Sequence, residues 1–484
     1  MIIAFQIKKL IASLLLLGMN ATVMAEVTPD PLPALEAARW HVATHAILLE
    51  ARDDIRNEPF LPKQLALDGF TSDAINSARM LCRACQPAAL VDVVSASTAM
   101  SVDEKERVLN EALANLRGGS QQPVFRSGTF TAIALLYSMW GFGAQAHSVF
   151  DEAIASAVTD PASGPGFHYI AFELAKAAPE SVPDWMILSL VKAIGRWPPS
   201  DDAALAYLDL ARIRFKQRQP EAEIDLMERA LDACAVIASY GQAQGIRSMV
   251  GRLALDSNQV EFARQRIPAL LITDANALFE ARSGHEDTAL YYLAKLQGPT
   301  LYVDHRGETL RSIIREASNR GDFSTAKFFV DQVDPQMTGM RIELWTIIAR
   351  AEWLNGDSKA SQLDFRRALS IVEAIPFEQR HSSIDQEGVL AEAMANAELH
   401  EESLRLSHSI KVSLMALPER QNDTRIVGLL LLAAAFRAAS DAIEAKQTLI
   451  LAYQTAHDYQ SPNQYGTKKS QLLMRVASVT EAFR

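Results

Sequence analysis

The feature that most constrains the fold of this chain is a unit of paired helical patterns that recurs along most of its length. The clearest copy spans residues 343–376. Within it, Trp345, Ile348 and Ala349 share one face of a first helix, because they stand three and four residues apart. The Asn-Gly-Asp segment at 355–357 breaks that helix, and a second amphipathic pattern follows it. A pair of short antiparallel helices is therefore predicted for this stretch.

Further copies of the unit show that the pattern repeats. Six positions keep the same relative spacing in two copies: Ala134, Tyr137, Gly141, Ala146, Phe150 and Ala153 in one, and Ala349, Glu352, Gly356, Ser361, Phe365 and Ala368 in the other. Weaker copies recur at spacings of mostly about 35–42 residues, a period typical of stacked helical arrays. Their anchor residues are Ala211 with Ala230, Gly251 with Ala263, Ala277 with Ala289, Ala317 with Ala326, Ala391 with Met394, and Ala433 with Ala445 and Ala452.

The small anchor residues have a physical reason that points to one fold class. Two helices about 8–10 Å apart cannot both carry bulky side chains where they cross. Ala or Gly therefore admits the neighbouring helix, and Phe or Leu fills the adjoining space. Signals for strands and hairpin turns are almost absent from the sequence. The sequence predicts an all-α fold, an α-solenoid of stacked helix–turn–helix repeats.

This pattern resembles the tetratricopeptide-repeat family, and the resemblance covers roughly residues 125–460. The two copies with six matching positions carry it. In the other copies the position of Tyr137 holds Arg214, Ala254, Glu280 or Met394, which departs from the family pattern. The resemblance implies a superhelix of tetratricopeptide-like repeats whose first helices line a concave groove. In such families that groove usually binds peptides or partner proteins, and catalysis is rare.

The first 25 residues are typical of an export signal. Lys8 and Lys9 precede an apolar run at 10–19, and the segment 23–25 offers small residues for cleavage before Glu26. The apolar run is shorter than the ~20 residues of a spanning helix. An uncleaved N-terminal anchor is the alternative. We expect a cleaved signal peptide, a periplasmic protein and no integral membrane segment after cleavage.

Three regions are predicted along the chain. They are a signal peptide at 1–25, a helical N-terminal region at 26–120 and the α-solenoid at 121–484, with the segment 118–123 as the linker. The net charge is −11, and removal of the leader leaves 45 basic against 58 acidic residues. A nucleic-acid-binding protein normally has a basic excess, so no nucleic-acid partner is expected.

Four arginines are the candidate partner-binding residues. Arg212, Arg252, Arg315 and Arg350 hold the same place on the first helix of their units, directly after an anchor position. In tetratricopeptide arrays that place faces the groove. Guanidinium groups there could pair with carboxylates of an acidic peptide or a C-terminus. The alternative is that each arginine pairs with an acidic residue of a neighbouring helix, which contributes little to stability.

Cys82 and Cys85 form the sharpest local motif, a Cys-x-x-Cys pair. A redox-active pair normally opens a helix, whereas this pair closes a helical pattern, and Pro87 disfavours helix at Gln86. A frayed helix end could let the two sulfurs bond, so a structural disulfide, two free thiols and a redox pair all remain open. Cys234 is expected to be a small core residue.

The remaining motifs have competing structural interpretations. His41 and His45 stand four apart on a helix, a spacing that suits a metal, but no third ligand is evident nearby. The segment 141–146 matches a dinucleotide fingerprint formally, yet it also fits the turn of the repeat unit. Glu-Ser pairs at 180–181 and 402–403 occur in lytic transglycosylases, but the rest of that family's motif is missing. No metal, cofactor or catalytic residue is predicted.

Together these observations favour a non-catalytic adaptor or scaffold of the bacterial cell envelope that binds a protein or peptide, with an acidic partner as one option. The alternative is a cell-envelope enzyme, or a metal or redox module, built around His41, His45, Cys82 and Cys85. The sequence does not indicate the oligomeric state.

Overall fold

The computed structural model describes residues 31–53, 60–119, 123–158, 166–237, 240–296, 305–460 and 469–484. Within these ranges the chain consists of helices, turns and bends, and none of it is a strand. The predicted all-α fold class is therefore confirmed. The predicted leader at 1–25 lies outside the described residues, as does the centre of the predicted linker at 120–122.

Twenty-five α-helices form in the described ranges. In chain order they are α1 Leu32–Glu36, α2 Trp40–Asp53, α3 Phe60–Leu67, α4 Thr71–Met80, α5 Gln86–Ala96, α6 Val102–Arg117, α7 Pro123–Met139, α8 Gly143–Ala157, α9 Phe167–Lys176, α10 Asp184–Ile194, α11 Asp201–Lys216, α12 Pro220–Cys234, α13 Tyr240–Asp256, α14 Val260–Arg266, α15 Thr273–Arg282, α16 Glu286–Lys295, α17 His305–Asn319, α18 Phe323–Val330, α19 Thr338–Leu354, α20 Ser358–Ala374, α21 Ile384–Asn396, α22 His400–Met415, α23 Asn422–Ala438, α24 Ala442–His457 and α25 Lys469–Ala482.

From α3 onward the helices pack as consecutive pairs, each made of an odd-numbered first helix and the even-numbered second helix that follows it. Each first helix from α3 to α23 also packs along the first helix of the next pair, whereas second helices contact mainly their own first helix. Successive first helices lie closer together than successive second helices, and this difference in spacing curves the array. The first helices therefore lie on its concave side, and the predicted α-solenoid is confirmed.

The array closes on itself through the N-terminal helix α2, which packs along α25 and serves as the second helix of the last pair. The rings of Trp40 in α2 and Phe483 after α25 are 5.2 Å apart. On its other side α2 reaches the first pair, where His45 Nε2 lies 2.8 Å from Asp73 Oδ2 of α4. The described helices thus form twelve pairs in a closed ring, and we call the junction around α2 the seam.

The repeat anchors occupy the positions that the sequence analysis predicted for them. Ala134, Ala211, Ala277, Ala349, Ala391 and Ala433 on first helices are all fully buried. Gly251 shows why they must be small, because a Cβ atom built there would lie 2.6 Å from Ile272 Cγ2. Phe150 and Phe365 are fully buried on the matching second helices. The pairs therefore share one packing arrangement: a small residue lets the two helices approach closely, and a large side chain fills the space beside it.

The turn inside most pairs has one recurring backbone conformation. In the turn between α7 and α8, Gly141 has φ +82°, its N–H donates to Ser138 O, and the N–H of Phe142 donates to Tyr137 O. This is a Schellman ending, which needs a left-handed residue. The same place is held by Gly69, Gly284, Gly321 and Gly356, but also by Arg218, Asn258, Glu398 and Ser440, all with positive φ. Non-glycine residues accept this conformation at a cost of about 1–2 kcal/mol each.

Near the N-terminus the helix boundaries differ from those that the sequence pattern favours. The pattern favours one helix over about 34–54, but two helices form there, separated at Ala38 with φ +53°. It also favours a helix over 71–85, but α4 ends at Met80 and α5 already begins at Gln86. The expectation that Pro87 disfavours helix at Gln86 was wrong. Pro87 is the second residue of α5, where its missing N–H costs no hydrogen bond within the helix and its fixed φ suits the first turn. Ser101, which precedes acidic residues and therefore suits an N-cap position, does cap α6 and accepts from the N–H of Glu104.

Candidate functional site

The concave side of the ring presents one exposed stripe from each first helix, and we call these stripes together the inner wall. In α19 the stripe contains Glu343, Ile347, Arg350 and Leu354, which are half-buried or exposed between buried neighbours. Their spacing of three and four residues keeps them on one side of the helix. The inner wall is therefore a continuous surface in which each pair contributes side chains at equivalent positions.

The four predicted arginines lie in equivalent register on this wall. Each stands six residues before the left-handed residue of its turn, as the pairs 212 and 218, 252 and 258, 315 and 321, and 350 and 356 show. Arg212 Nη1 lies 2.6 Å from Asp209 Oδ1 of its own helix. Arg252 Nη2 lies 2.5 Å from Asp274 Oδ2 of α15. These two guanidinium groups already hold carboxylates.

The other two arginines are less engaged. Arg315 Nη2 lies 3.9 Å from Glu343 Oε1, whose other oxygen accepts a hydrogen bond from Arg311 at 3.0 Å. Arg350 is exposed, and among the described residues no carboxylate pairs with it. Of the four arginines, the two on α17 and α19 are therefore the ones that lack a short ion pair in the part of the chain that the structure describes.

Ion pairs also connect successive first helices along the wall. Arg282 of α15 contacts Asp256 of α13 at 3.5 Å and Glu316 of α17 at 2.5 Å. Burial raises the pKa of Asp256 above its ordinary value, and Arg282 offsets part of that rise. Between α13 and α17 a hollow of about 360 Å³ opens, with Arg252 and Ser312 on its rim. Charge therefore both links the helices and lines a depression on this surface.

The residues equivalent to Tyr137 in the other copies of the repeat are buried, as Tyr137 itself is. Polar residues at this position have partners there: Tyr137 with Asn110, Arg214 with Asp184, Glu280 with His285, and Glu352 with Lys327. The sequence analysis treated two of these residues, Arg214 and Glu280, as departures from the family pattern. Each is instead a buried polar group satisfied by a residue that the repeat pattern does not specify.

The largest of these polar groups is a buried charge network between α18, α19 and α20. Lys327 Nζ lies 2.6 Å from Glu352 Oε1 and 2.8 Å from Asp364 Oδ2, and both carboxylates are fully buried. Arg367, which stacks over the ring of Trp345, holds the second oxygen of Asp364 at 2.9 Å. Burial raises the pKa of Glu352, and Lys327 limits that rise. Burial alone would lower the pKa of Lys327, but hydrogen bonds to the two carboxylates outweigh it and raise the pKa.

A second polar group connects α9 to α11. The carboxylate of Asp202 accepts hydrogen bonds from the backbone N–H groups of Phe167 at 2.9 Å and His168 at 3.1 Å. Burial raises the pKa of Asp202 from 3.8 to about 6, although those hydrogen bonds oppose the rise. The hydrogen bond to Asp209 raises the pKa of His168. The junction therefore prefers a bound proton in the mildly acidic range.

His41 and His45 lie at the seam, and each imidazole there contacts a carboxylate of a neighbouring helix. His41 Nδ1 lies 3.3 Å from Glu481 Oε2, and His45 Nε2 lies 2.8 Å from Asp73 Oδ2. Both imidazoles stack on the ring of Phe70. No group of three or more metal-ligating side chains forms in the described part of the chain. The two histidines join α2 to the helices beside it, and no third ligand comes near them there.

Cys82 and Cys85 form a disulfide in the turn between α4 and α5, with Cα atoms 5.2 Å apart. Cys82 is exposed, Cys85 is half-buried, and Cys85 is the N-cap residue of α5. The pair therefore precedes a helix as well as following one, which the sequence analysis missed because Pro87 was taken as a helix breaker. Cys234 is a free, buried thiol, and burial raises its pKa, so it is a core residue.

The other motifs have structural roles. The segment 141–146 is the turn between α7 and α8 and the start of α8, so its glycines serve the turn. The segment 180–181 lies in a short 3₁₀ turn. Ser403 is buried and donates to a backbone carbonyl of α21, and Glu402 faces Arg366 at 3.7 Å. None of the described helices is both long and apolar enough to cross a bilayer.

No protein-family model matches this chain, and no curated protein matches it significantly. Among solved structures it is similar to one described as "Circular tandem repeat protein with novel repeat topology and enhanced subunit contact surfaces", over 94% of this chain and 92% of that chain. The two are 13% identical with a TM-score of 0.15, and nothing is inferred from so distant a likeness. The helix pairs and their contacts show that this chain is a helical-repeat protein of the all-α solenoid class.

Proposed function

We propose that this protein is a non-catalytic adaptor or scaffold that binds a protein or peptide on its inner wall. The observation that carries the proposal is the wall itself, an exposed concave surface to which every first helix contributes at the same register. Concave surfaces of repeat arrays are suited to binding an extended or helical segment laid along them. Export by the leader at 1–25 would place this adaptor in the periplasm of a bacterial cell envelope.

The proposed relationship to tetratricopeptide repeats rests on the pair formed by α7 and α8 and the pair formed by α19 and α20. Both combine a buried alanine on the first helix, a left-handed glycine in the turn and a buried phenylalanine on the second helix. In the α7 helix Tyr137 also occupies the position typical of that family. The other pairs keep the packing and change the residues. We therefore propose a degenerate tetratricopeptide-like array.

An acidic partner is favoured by the arginines on α17 and α19. Arg350 is exposed without a carboxylate partner in the described ranges, and Arg315 has one only at 3.9 Å. A carboxylate from a peptide could contact both guanidinium groups without first breaking a short ion pair. Arg212 would have to release Asp209, held at 2.6 Å, so we expect it to contribute less.

The test is binding of a library of acidic peptides to the mature protein. We expect the double variant Arg315→Glu/Arg350→Glu to weaken binding by at least about tenfold, because each substitution replaces an attraction by a repulsion. Arg366→Glu is the matched control, since Arg366 is 60% exposed on a second helix away from the wall. Equal binding by wild type and the double variant would refute the inner wall as the acidic-peptide site.

A further inference from the structure

The disulfide between Cys82 and Cys85 lies in the turn between α4 and α5, and the first of its two residues is exposed to solvent. Cys82 is exposed, and Met80, two residues before it, is 60% exposed, so an apolar side chain stands on the surface close to the disulfide. Arg83 is also exposed and stands between the two cysteines in sequence. A partner protein could therefore reach Cys82, pack against Met80 and meet a positive charge at the same place.

The turn itself does not depend on the disulfide. The N–H groups of Cys85 and Gln86 both donate to Cys82 O, at 2.7 and 3.1 Å. The side-chain amide of Gln86 donates to Arg79 O at 2.7 Å and to Leu81 O at 3.1 Å. These four hydrogen bonds hold the connection between α4 and α5 by themselves. The stabilising effect of a disulfide also falls as the loop it closes shortens, and this loop is among the shortest.

The position of Cys85 suits a leaving group. It is the N-cap residue of α5, which has 11 residues, and its side chain makes no capping hydrogen bond. The N-terminal end of a helix stabilises negative charge, and a thiolate there leaves more readily when a disulfide is attacked. The sulfur of the exposed residue Cys82 is thus the one to be attacked, and the sulfur of the half-buried residue Cys85 is the one best placed to leave.

We propose that Cys82–Cys85 is a thiol–disulfide exchange site that takes two electrons from the dithiol of a partner protein. A thiolate of the partner attacks Cys82 Sγ, the bond between the two sulfurs breaks, and its electron pair stays on Cys85 Sγ. The partner's second thiolate then attacks the partner sulfur of the mixed disulfide and displaces Cys82. The partner leaves with a new disulfide, and the two cysteines take up the two protons that its thiols released.

The experiment uses the mature protein with Cys234→Ser, so that Cys82 and Cys85 are the only thiols that alkylation can detect. The protein is equilibrated in glutathione buffers, alkylated and weighed by mass spectrometry, and its unfolding is measured in both redox states. We expect the pair to be reduced by millimolar reduced glutathione, with an unchanged unfolding midpoint. Arg83→Glu should shift the equilibrium towards the disulfide by about five- to tenfold, because it places a negative charge beside the thiolates.

Single-cysteine variants separate the roles of the two sulfurs. Cys85→Ser should trap Cys82 rapidly as a mixed disulfide with oxidised glutathione, whereas Cys82→Ser should trap Cys85 at least about tenfold more slowly because Cys85 is half-buried. The proposal is overturned if the pair stays oxidised until the protein unfolds, if its reduction lowers the unfolding midpoint, or if Cys85→Ser forms no mixed disulfide. Arg315→Glu/Arg350→Glu should leave every one of these readouts unchanged, so failure of the peptide site and of the exchange site are distinguishable.

Discussion

Replacement of Lys327 by methionine should destabilise the protein more than any surface substitution of similar size. The change keeps most of the side-chain volume but removes the only cation that contacts both Glu352 and Asp364 in the described structure. Glu352 is 1% exposed and Asp364 is fully buried. Two carboxylates would then share a buried space, and only Asp364 would keep a cation, Arg367.

Loss of one partner from a buried ion pair costs about 3–5 kcal/mol, because the remaining charge has no compensation. Lys327 is 30% exposed and Arg367 remains, so we expect the low end, about 3 kcal/mol at pH 8. The loss of unfolding free energy should become smaller as the pH is lowered towards 5. Burial already raises the pKa of Glu352, and without Lys327 that carboxyl would take up a proton more easily. In an array the damage should centre on the pairs that contain α17 to α20.

The assay is denaturant unfolding followed by circular dichroism at pH 8 and pH 5, with hydrogen exchange to locate the loss. Lys327→Arg keeps the charge and should lie within about 1 kcal/mol of wild type. The double variant Lys327→Met/Glu352→Gln should recover at least about half of the loss, since it removes one of the uncompensated charges. A shift below about 0.5 kcal/mol for Lys327→Met, or a double variant less stable than the single one, would refute this account of the network.

Three further outcomes are expected. Phe365→Ala should lower the unfolding free energy by about 3–5 kcal/mol because the ring is fully buried, while Phe328→Ala, 37% exposed, should have a much smaller effect. Glu398→Gly should raise the denaturation midpoint by relieving a left-handed residue, a gain of about 1 kcal/mol, and a lower midpoint would contradict the turn assignment. Between pH 3.8 and about 6 the folded chain holds a proton on Asp202 that the unfolded chain has lost, so stability should fall as pH rises through this window, and Asp202→Asn should flatten that slope.

The recurring unit could be predicted because its signals are local. Helical periodicity, a glycine after the first helix and small residues at crossing points are all visible within one pair, and Ala349, Gly356 and Phe365 occupy the places expected of them. The weaker copies were found through their alanines for the same reason. Close approach of two helices excludes a larger side chain in every pair, whatever else changes.

The turns without glycine show where local signals fail. Arg218, Glu398 and Ser440 adopt the left-handed conformation that sequence analysis assigns to glycine. Packing of the two flanking helices imposes this conformation and offsets its strain. The same holds for the candidate site. The register of Arg212 and Arg252 could be predicted. Asp209 is a local partner, three residues before Arg212 on the same helix, whereas the pairing of Arg252 with Asp274 depends on how α13 and α15 sit side by side.

The sequence by itself determined the fold class, the pairing of neighbouring helices and the register of the inner wall, because these follow from periodicity within about forty residues. Only the tertiary structure decided that the array is closed. Trp40 and Phe483 meet across the seam, and His41 pairs with Glu481, 440 residues further along the chain. A second helix carries the same amphipathic pattern whichever first helix it covers, so nothing local in α2 shows that its partner is α25. The tertiary structure alone also placed Cys85 at the start of a helix, where its thiol chemistry can be tested.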